Sequence, residues 1–457
     1  MAVHIRGKYR DLWAFIRQPL DRARRIRRAS ADFLPPDQLQ TLTTALHPRR
    51  LELTVQQVRS ETPLARTYRL VPAGQITGQA SNQAGQSLPP FRSGQYLSLE
   101  FRIRGVRVSR PYSICCSPGE SAQGNYYEIT VAGCENGFVA PHIWEQWRPG
   151  SRVYSSGPLG QFGYEPLRDH DHLVFLAGGC GITPFRSLWR QIRTGEPSLR
   201  CTILYGAASP AEFIFREELE QLAAEMPARF QVHLIAEEAD PQWHGLRGLI
   251  TGKRIRELAG EPGDKTYMLC GPPGMHRFVE RELAALDLPA GSLRKEPCGE
   301  SEEVFLSLDY PAAARDLSYT LLVHQGESTR TIAARGSETV LVALERAGLA
   351  PPAQCRSGQC GYCRSQLLAG RVYVRPETDG RRQADRKFGY FHPCSSYALS
   401  DLEICVPVNP LPPLPEPEAA EGSPEEALRS TGASPSTEVP PSAQAPSSRP
   451  AGGPTKK

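Results

Sequence analysis

The sequence predicts a multidomain chain: an antiparallel β-barrel, an α/β Rossmann-like unit, a smaller α+β (β-grasp) unit and a disordered tail. Three observations carry this. Residues 48–167 hold short strands broken by Gly and Pro turns, the pattern of an antiparallel barrel. Residues 168–297 alternate short apolar strands with helices, which implies a parallel sheet covered by helices. Residues 315–408 hold two strands, a helix and four cysteines in a fixed spacing.

A chain of 457 residues has room for about three ordinary cores. Its net charge of +4 is uneven, with nine Lys or Arg against two Asp in residues 1–30. No basic stripe recurs along the rest, which argues against nucleic acid as a partner. No apolar run approaches the roughly 18–20 residues of a membrane span, and no solenoid repeat is present. Twelve cysteines without a signal peptide suit a reducing, cytoplasmic setting. Cys115, Cys116, Cys134, Cys180, Cys201, Cys298 and Cys405 are expected to be buried as small apolar side chains.

Residues 1–47 form a basic extension. Leu12, Phe15 and Ile16 stand at helical spacing before Pro19 interrupts. The expectation is a solvated helix packed on the barrel. The same Arg-rich, acid-poor composition also suits an import peptide, or peripheral contact of residues 1–30 with an acidic partner or anionic membrane.

The barrel strands are expected at Leu51–Arg59, Thr67–Val71, Tyr96–Ile103, Val106–Ile114, Tyr126–Val131 and Arg152–Ser155. One of them ends in Arg110-Pro111-Tyr112-Ser113. Gly94-Gln95-Tyr96 precedes it, Gly137-Phe138-Val139 follows, and Gly157-Pro158-Leu159-Gly160-Gln161-Phe162 closes the segment. In these motifs and their order the chain resembles the ferredoxin-NADP reductase superfamily. The resemblance implies a flavin site. Arg110 would pair with a flavin phosphate, which its fork of donors suits. Tyr112 would pack on the isoalloxazine, and Ser113 would hydrogen-bond near N5. The loop Gly137–Pro141 would meet the pyrophosphate, although Ala140-Pro141 stands where relatives carry Ser or Thr. The helix His142–Trp147 follows, and FAD is favoured over FMN.

In the second unit, strands are expected at Leu173–Ala177, Thr202–Tyr205, Gln231–Ile235 and Tyr267–Leu269, with helices over Phe213–Met226 and Met275–Leu286. Gly178-Gly179-Cys180-Gly181-Ile182-Thr183 joins a strand to the helix Pro184–Ile192. Glycines allow close backbone approach to a pyrophosphate, and a helix N-terminus favours negative charge. Cys270-Gly271-Pro272-Pro273-Gly274-Met275 repeats the strand-to-helix turn. The resemblance implies that the two turns flank a nicotinamide dinucleotide, with Cys270 beside the nicotinamide. Ser113 and Cys270 are therefore the residues expected nearest the reacting atoms. Ala207-Ala208-Ser209 offers no cation to a 2′-phosphate, so NADH is favoured over NADPH, with Arg216 and Arg247 the alternatives that would serve NADPH. Glu296-Pro297-Cys298-Gly299 stands where relatives have an aromatic residue, which leaves Glu296 open between a flavin neighbour and a surface carboxylate. His276 and His392 read as ordinary polar positions, since hydride transfer needs no acid or base.

After a hinge near Glu300–Glu303, Ser318–Val323 and Ser328–Ile332 read as strands and Thr339–Gly348 as a helix. Cys355, Cys360 and Cys363 then follow C-x4-C-x2-C spacing, with Cys394 as the fourth, the ligand pattern of a plant-type [2Fe-2S] cluster. Gly358 and Gly361 suit the tight loop between them. A structural zinc site would usually show two close cysteine pairs, and only one is present. From residue 409 the chain is rich in Pro, Ser, Ala and Glu and is expected to be disordered; 12 of the last 48 residues are proline.

The order of the three units resembles phthalate dioxygenase reductase-like electron-transfer proteins over roughly residues 50–408. It implies an NAD(P)H:acceptor oxidoreductase that passes electrons singly to a redox protein acceptor of oxygenase, demethylase, desaturase or hybrid-cluster type. Two other readings are a redox-responsive partner-binding module with little turnover, and reverse flow that reduces NAD(P)+ from a low-potential donor.

Overall fold

The computed structural model describes residues 7–28, 48, 50–74, 87–133, 137–195, 198–238, 241–297, 304–307, 309–376 and 379–415. Cys134, Cys298, Gly299, the hinge Glu300–Glu303, residues 29–47 and most of the tail lie outside them.

Helix α1 (Lys8–Arg28) runs through Pro19 instead of stopping there. Proline removes one helical hydrogen bond, but the turns on either side keep theirs. Tyr9, Leu12, Trp13, Ile16 and Leu20 are all more than half exposed, so among the described side chains of this helix the expected packing on the barrel is not found.

Strands β1 (Leu51–Thr62), β2 (Ala65–Pro72), β3 (Tyr96–Ile103), β4 (Val106–Ser113), β5 (Tyr127–Ala132) and β6 (Arg152–Ser155) form one antiparallel sheet in the order β4-β3-β6-β1-β2-β5. Its two edges meet just past β4. Ile114 bridges Ile129, and the Cys115 amide donates to the Glu128 carbonyl at 2.8 Å, which closes the barrel. A second bridge, Tyr96 to Leu159, ties the Gly157–Phe162 segment to β3. Leu53, Val55, Tyr68, Leu97, Leu99 and Ile129 fill the interior. Between β4 and β5 lies α2 (Pro118–Gly124), unanticipated from sequence, which Ser117 and Glu120 start with a capping box. Helix α3 (Ala140–Gln146) follows β5.

Strands β7 (His172–Gly178), β8 (Arg200–Ala207), β9 (Phe230–Ala236), β10 (Leu246–Arg247), β11 (Thr266–Gly271) and β12 (Leu293–Pro297) make a parallel sheet in the order β10-β9-β8-β7-β11-β12. Both faces are buried, as a sheet covered by helices requires. Phe175 and Ile203 face the layer of α4 (Thr183–Arg193) and α5 (Arg216–Glu225), whereas Val174, Leu176 and Leu269 face α6 (Gly252–Ala259) and α7 (Pro273–Ala284). Helix α5 starts three residues later than expected. Phe213, Ile214 and Phe215 sink into the core, and Phe215 turns the chain with a φ of 61°.

Strands β13 (Ser318–Gln325) and β14 (Ser328–Arg335), helix α8 (Val340–Arg346), β15 (Ser365–Ala369), β16 (Val372–Val374), helix α9 (Gln383–Lys387), β17 (Tyr390–Phe391), β18 (Ser396–Ala398) and β19 (Leu402–Cys405) complete the described fold. The main sheet runs β14-β13-β19-β15-β17, with β13 and β19 parallel at its centre. Leu321, Val323, Ala343, Leu344 and Ile404 pack between it and α8. Of the tail expected to be disordered from residue 409, the first residues are described, and the Leu411 and Pro412 carbonyls accept hydrogen bonds from Arg107 (3.1 Å) and Arg50 (2.8 Å) of the barrel.

The barrel and the parallel sheet share a buried ion-pair network. Arg186 of α4 reaches Glu128 of β5 and Glu218 of α5, both at 3.0 Å. Arg190 links Glu218 (2.8 Å) to Glu120 of α2 (2.5 Å). Removing one member of such a network strands its partner charge in a low dielectric, so the two units are held in one relative placement.

Candidate functional site

The loop after α8 carries Cys355, Cys360 and Cys363, and the turn after β17 brings Cys394 to them. Cys363 Sγ and Cys394 Sγ lie 3.4 Å apart, Cys355 contacts both Cys360 and Cys394, and three of the four are buried, with Cys360 exposed. Backbone amides point at their sulfurs: Gly358 to Cys394 (3.2 Å), Cys360 and Ser357 to Cys355 (3.4 and 3.5 Å), and Tyr362 to Cys360 (3.4 Å). Gly358 and Gly361 adopt φ of 81° and 70°, as the tight loop demanded. Hydrogen bonds from Cys360 and Cys394 hold the Cys355 thiol well below its ordinary range, and their contacts with it push Cys360 and Cys394 up. Among the described residues no three His, Cys, Asp or Glu side chains are placed for a single metal ion. A chain of four thiols with amides aimed at sulfur fits a dinuclear iron–sulfur centre instead.

Two features of this loop were not legible in sequence. Arg356 has a φ of 54° and is buried, with both terminal nitrogens on Glu345 of α8, at 2.6 and 2.8 Å. His392, read as an ordinary polar position, is buried and makes a 2.6 Å hydrogen bond through Nδ1 to the Gly358 carbonyl.

The cluster loop lies against the barrel. Ser109 donates to the Ala353 carbonyl at 2.9 Å and Ser98 to the Gln354 carbonyl at 3.5 Å, leaving a cavity of only about 30 Å³ between them. Tyr96 lies two residues from Ser98 on the same strand face. Burial, then the charges of Cys355, Cys360, Glu296 and Cys394, raise its hydroxyl far above the ordinary value. Glu296 is half-buried and within electrostatic reach of Tyr96. Arg110 donates to the Ser109 carbonyl at 2.8 Å and stands 4.0 Å from Glu345, on the cluster side of the rim. Pro111, Tyr112 and Ser113 are half-buried beside it, Val139 is buried, Gly137 is half-buried and Phe138 is exposed. Burial raises the Tyr112 hydroxyl, Arg110 opposes it, and Cys180 adds to it, which places the strand-to-helix turn of the second unit within electrostatic reach of Tyr112.

That turn and its companion pack against each other. A Cβ on Gly181 would overlap the Cys270 carbonyl, and one on Gly178 or Gly271 would overlap the Met275 sulfur. Gly179, at φ 51°, faces open space, and a Cβ on Gly274 would meet only the end of the Arg277 side chain, at 3.9 Å. Thr183 is buried and donates to the Cys180 carbonyl at 3.0 Å, and Tyr205 donates to the Gly179 carbonyl at 2.9 Å. The result is a cleft of about 490 Å³ lined by Gly178, Gly179, Ala207, Ala208, Pro272, Gly274 and Met275, with Glu212 and Glu237 at its wall. Bare backbone at the ends of parallel strands fits a dinucleotide. Arg216 and Arg247 do not line this cleft; Arg216 pairs with Glu220 at 2.8 Å and Arg247 donates to the Trp243 carbonyl at 3.2 Å. Cys270 is buried, as are Cys115, Cys116 and Cys201, but Cys180 and Cys405 are exposed, contrary to the apolar reading. Cys180 sits at the cleft-side turn and Cys405 at the end of β19, where side chains alternate outward. His276 pairs with Glu280 at 3.8 Å.

Family profiles match this chain in three places: an oxidoreductase FAD-binding domain over residues 82–164, an oxidoreductase NAD-binding domain over 175–281, and a 2Fe-2S iron-sulfur cluster binding domain over 323–399. NADH-cytochrome b5 reductase 1 of Candida glabrata is 31% identical over 213 residues, 46% of this chain and 72% of that protein. The chain belongs to the ferredoxin-NADP reductase superfamily. Within that superfamily, the glycine betaine monooxygenase reductase subunit of Chromohalobacter salexigens is 28% identical over 327 residues, 69% of this chain and 87% of that subunit. The solved phthalate dioxygenase reductase shares the fold, with a TM-score of 0.54 and 23% identity, covering 79% of this chain and 98% of its own. This superfamily member thus carries flavin, nicotinamide and [2Fe-2S] domains in one electron-transfer reductase. Among the described residues no helix is long and apolar enough to cross a membrane.

Proposed function

We propose that this reductase takes electrons from NADH and delivers them one at a time to a separate protein acceptor of oxygenase type; relatives of this chain are named as reductase parts of monooxygenases. The observation that carries the reading is the position of the barrel rim. Tyr112 stands by the Cys180 turn of the nicotinamide cleft, while Tyr96 and Ser98, on the neighbouring strand, stand by the cysteine loop. Bound at these sites, a flavin would supply the conversion between a hydride from NADH and single electrons, and a [2Fe-2S] centre would carry one electron at a time.

The chain's own residues bind and orient. Cys355, Cys360, Cys363 and Cys394 hold the irons. Arg110, Tyr112, Ser113 and the Gly137–Val139 loop would hold the flavin, and Ser113 and Cys270 are the residues assigned to the reacting rings. Gly178, Gly179, Gly181, Thr183, Gly271, Pro272, Gly274 and Met275 shape the dinucleotide cleft. Preference for NADH rests on Glu237 and Glu212, whose carboxylates would repel a 2′-phosphate. The functional segments are 48–167, 168–297 and 315–408, and the compartment is the cytoplasm, where reduced thiols remain available to iron.

Purified anaerobically, the protein is expected to be coloured by flavin and cluster, and to reduce both ferricyanide and cytochrome c with NADH. Cys363→Ser should keep ferricyanide reduction and lose most cytochrome c reduction. A preparation that holds neither flavin nor iron, and turns over neither dye, sinks the proposal.

A further inference from the structure

None of the described side chains of helix α1 lines the dinucleotide cleft or the cavity beside the cysteine loop. Its apolar residues Tyr9, Leu12, Trp13, Ile16 and Leu20 recur three or four positions apart, so they fall on one stripe. Each is 53–74% exposed, an uncommon state for a whole helical face. Within 21 residues the same helix carries eight Lys or Arg against two Asp, although the entire chain carries only +4. Arg17 lies over the Trp13 ring at 5.6 Å, at the border between the apolar stripe and the basic face.

We propose that α1 lies flat on an anionic membrane surface, its stripe in the headgroup–acyl boundary and its arginines among lipid phosphates. The charge selects this occupant. A second copy of the same helix would bring like charges together around the stripe. A lipid surface of negative charge meets apolar and basic faces at once, without shape matching. Trp13 and Tyr9 are the side chains that favour such a boundary, with an apolar ring and a polar edge, and arginine stems can extend from it toward water. The helix is too polar to cross a bilayer, so the contact is peripheral and reversible.

The test uses the full chain and vesicles of phosphatidylcholine with or without roughly one-third phosphatidylglycerol, at low salt and at about 0.15 M. The protein is expected to sediment with the anionic vesicles at least about tenfold more strongly than with the neutral ones, and raised salt should weaken the binding. Leu12→Glu combined with Ile16→Glu should abolish sedimentation. Arg17→Gln with Arg24→Gln should lower it about twenty-five-fold, at roughly a fivefold loss per cation. NADH-dependent ferricyanide reduction should be unchanged in both variants, which reports that they fold and keeps this test separate from the proposed electron transfer. Failure of the active parent protein to bind anionic vesicles overturns the proposal. So does a concentration-dependent oligomer that the Leu12→Glu, Ile16→Glu variant dissolves while vesicle binding is absent, since the stripe would then cover a second copy. Equal binding to neutral and anionic vesicles overturns the charge selection.

Discussion

Glu345 holds Arg356, the residue next to Cys355, by two hydrogen bonds at 2.6 and 2.8 Å. The pair fixes a left-handed residue inside the cysteine loop, a conformation that costs a non-glycine residue about 1–2 kcal/mol. On its other side Glu345 stands 4.0 Å from Arg110 of the barrel. One carboxylate thereby ties the shape of the cysteine loop to the strand that carries the flavin motif.

Replacing Glu345 by Gln should be costly, because Arg356 would stay charged in a buried position with its carboxylate gone. The expected loss is about 3–5 kcal/mol, read by denaturant unfolding followed through the cluster's visible absorbance. Glu345→Asp should recover part of it. A loss in Glu345→Gln smaller than about 0.5 kcal/mol would show that the pair is dispensable.

Acid should loosen the join between the barrel and the parallel sheet through Glu218. Burial alone would raise this carboxyl, but Arg186 and Arg190 outweigh it and hold the group at about 2. A folded value below the unfolded 4.5 contributes stability that is complete above the unfolded value and is lost as pH falls toward 2. The contribution is about 3 kcal/mol. In unfolding titrations the gap between the parent and Glu218→Gln should be widest near neutrality and close between about 4.5 and 2. A gap that stays constant with pH would contradict the linkage.

Gly181→Ala tests the contact between the two strand-to-helix turns. The new methyl meets the Cys270 carbonyl, which is backbone and cannot swing aside. The KM for NADH should rise about tenfold or more while flavin content holds, at a structural cost of about 1–3 kcal/mol. An unchanged KM would mean that the turns separate freely.

Glu237→Arg should reverse the charge at the cleft wall. The expected outcome is a rise of about tenfold or more in kcat/KM for NADPH and a fall for NADH, from steady-state kinetics with each nucleotide. No change in the ratio would remove Glu237 from nucleotide selection.

What the sequence disclosed is local, and what it hid is long-range. The alternation of Val174, Phe175 and Leu176, the glycine turns and the cysteine spacing each express a constraint within a few residues, so they were readable. The Arg186–Glu128 pair joins residues 58 positions apart, and nothing near either one marks it. The same holds for the Ser109 contact to Ala353, across 244 positions. Phe213–Phe215 looked like the start of a helix because apolar spacing was right, but core burial claimed all three side chains and the helix begins after them. Pro19 looked like a stop because one lost hydrogen bond is costly, yet the flanking turns carry the helix through. Glu237 had no local signature at all; only the fold brings it to the dinucleotide cleft.

Of the four gathered cysteines, Cys360 alone is open to solvent, beside exposed Gln359. An opening that admits a partner protein also admits dioxygen and peroxide. Oxidative damage to the metal centre should therefore begin at this one sulfur, and a docked acceptor would shield it.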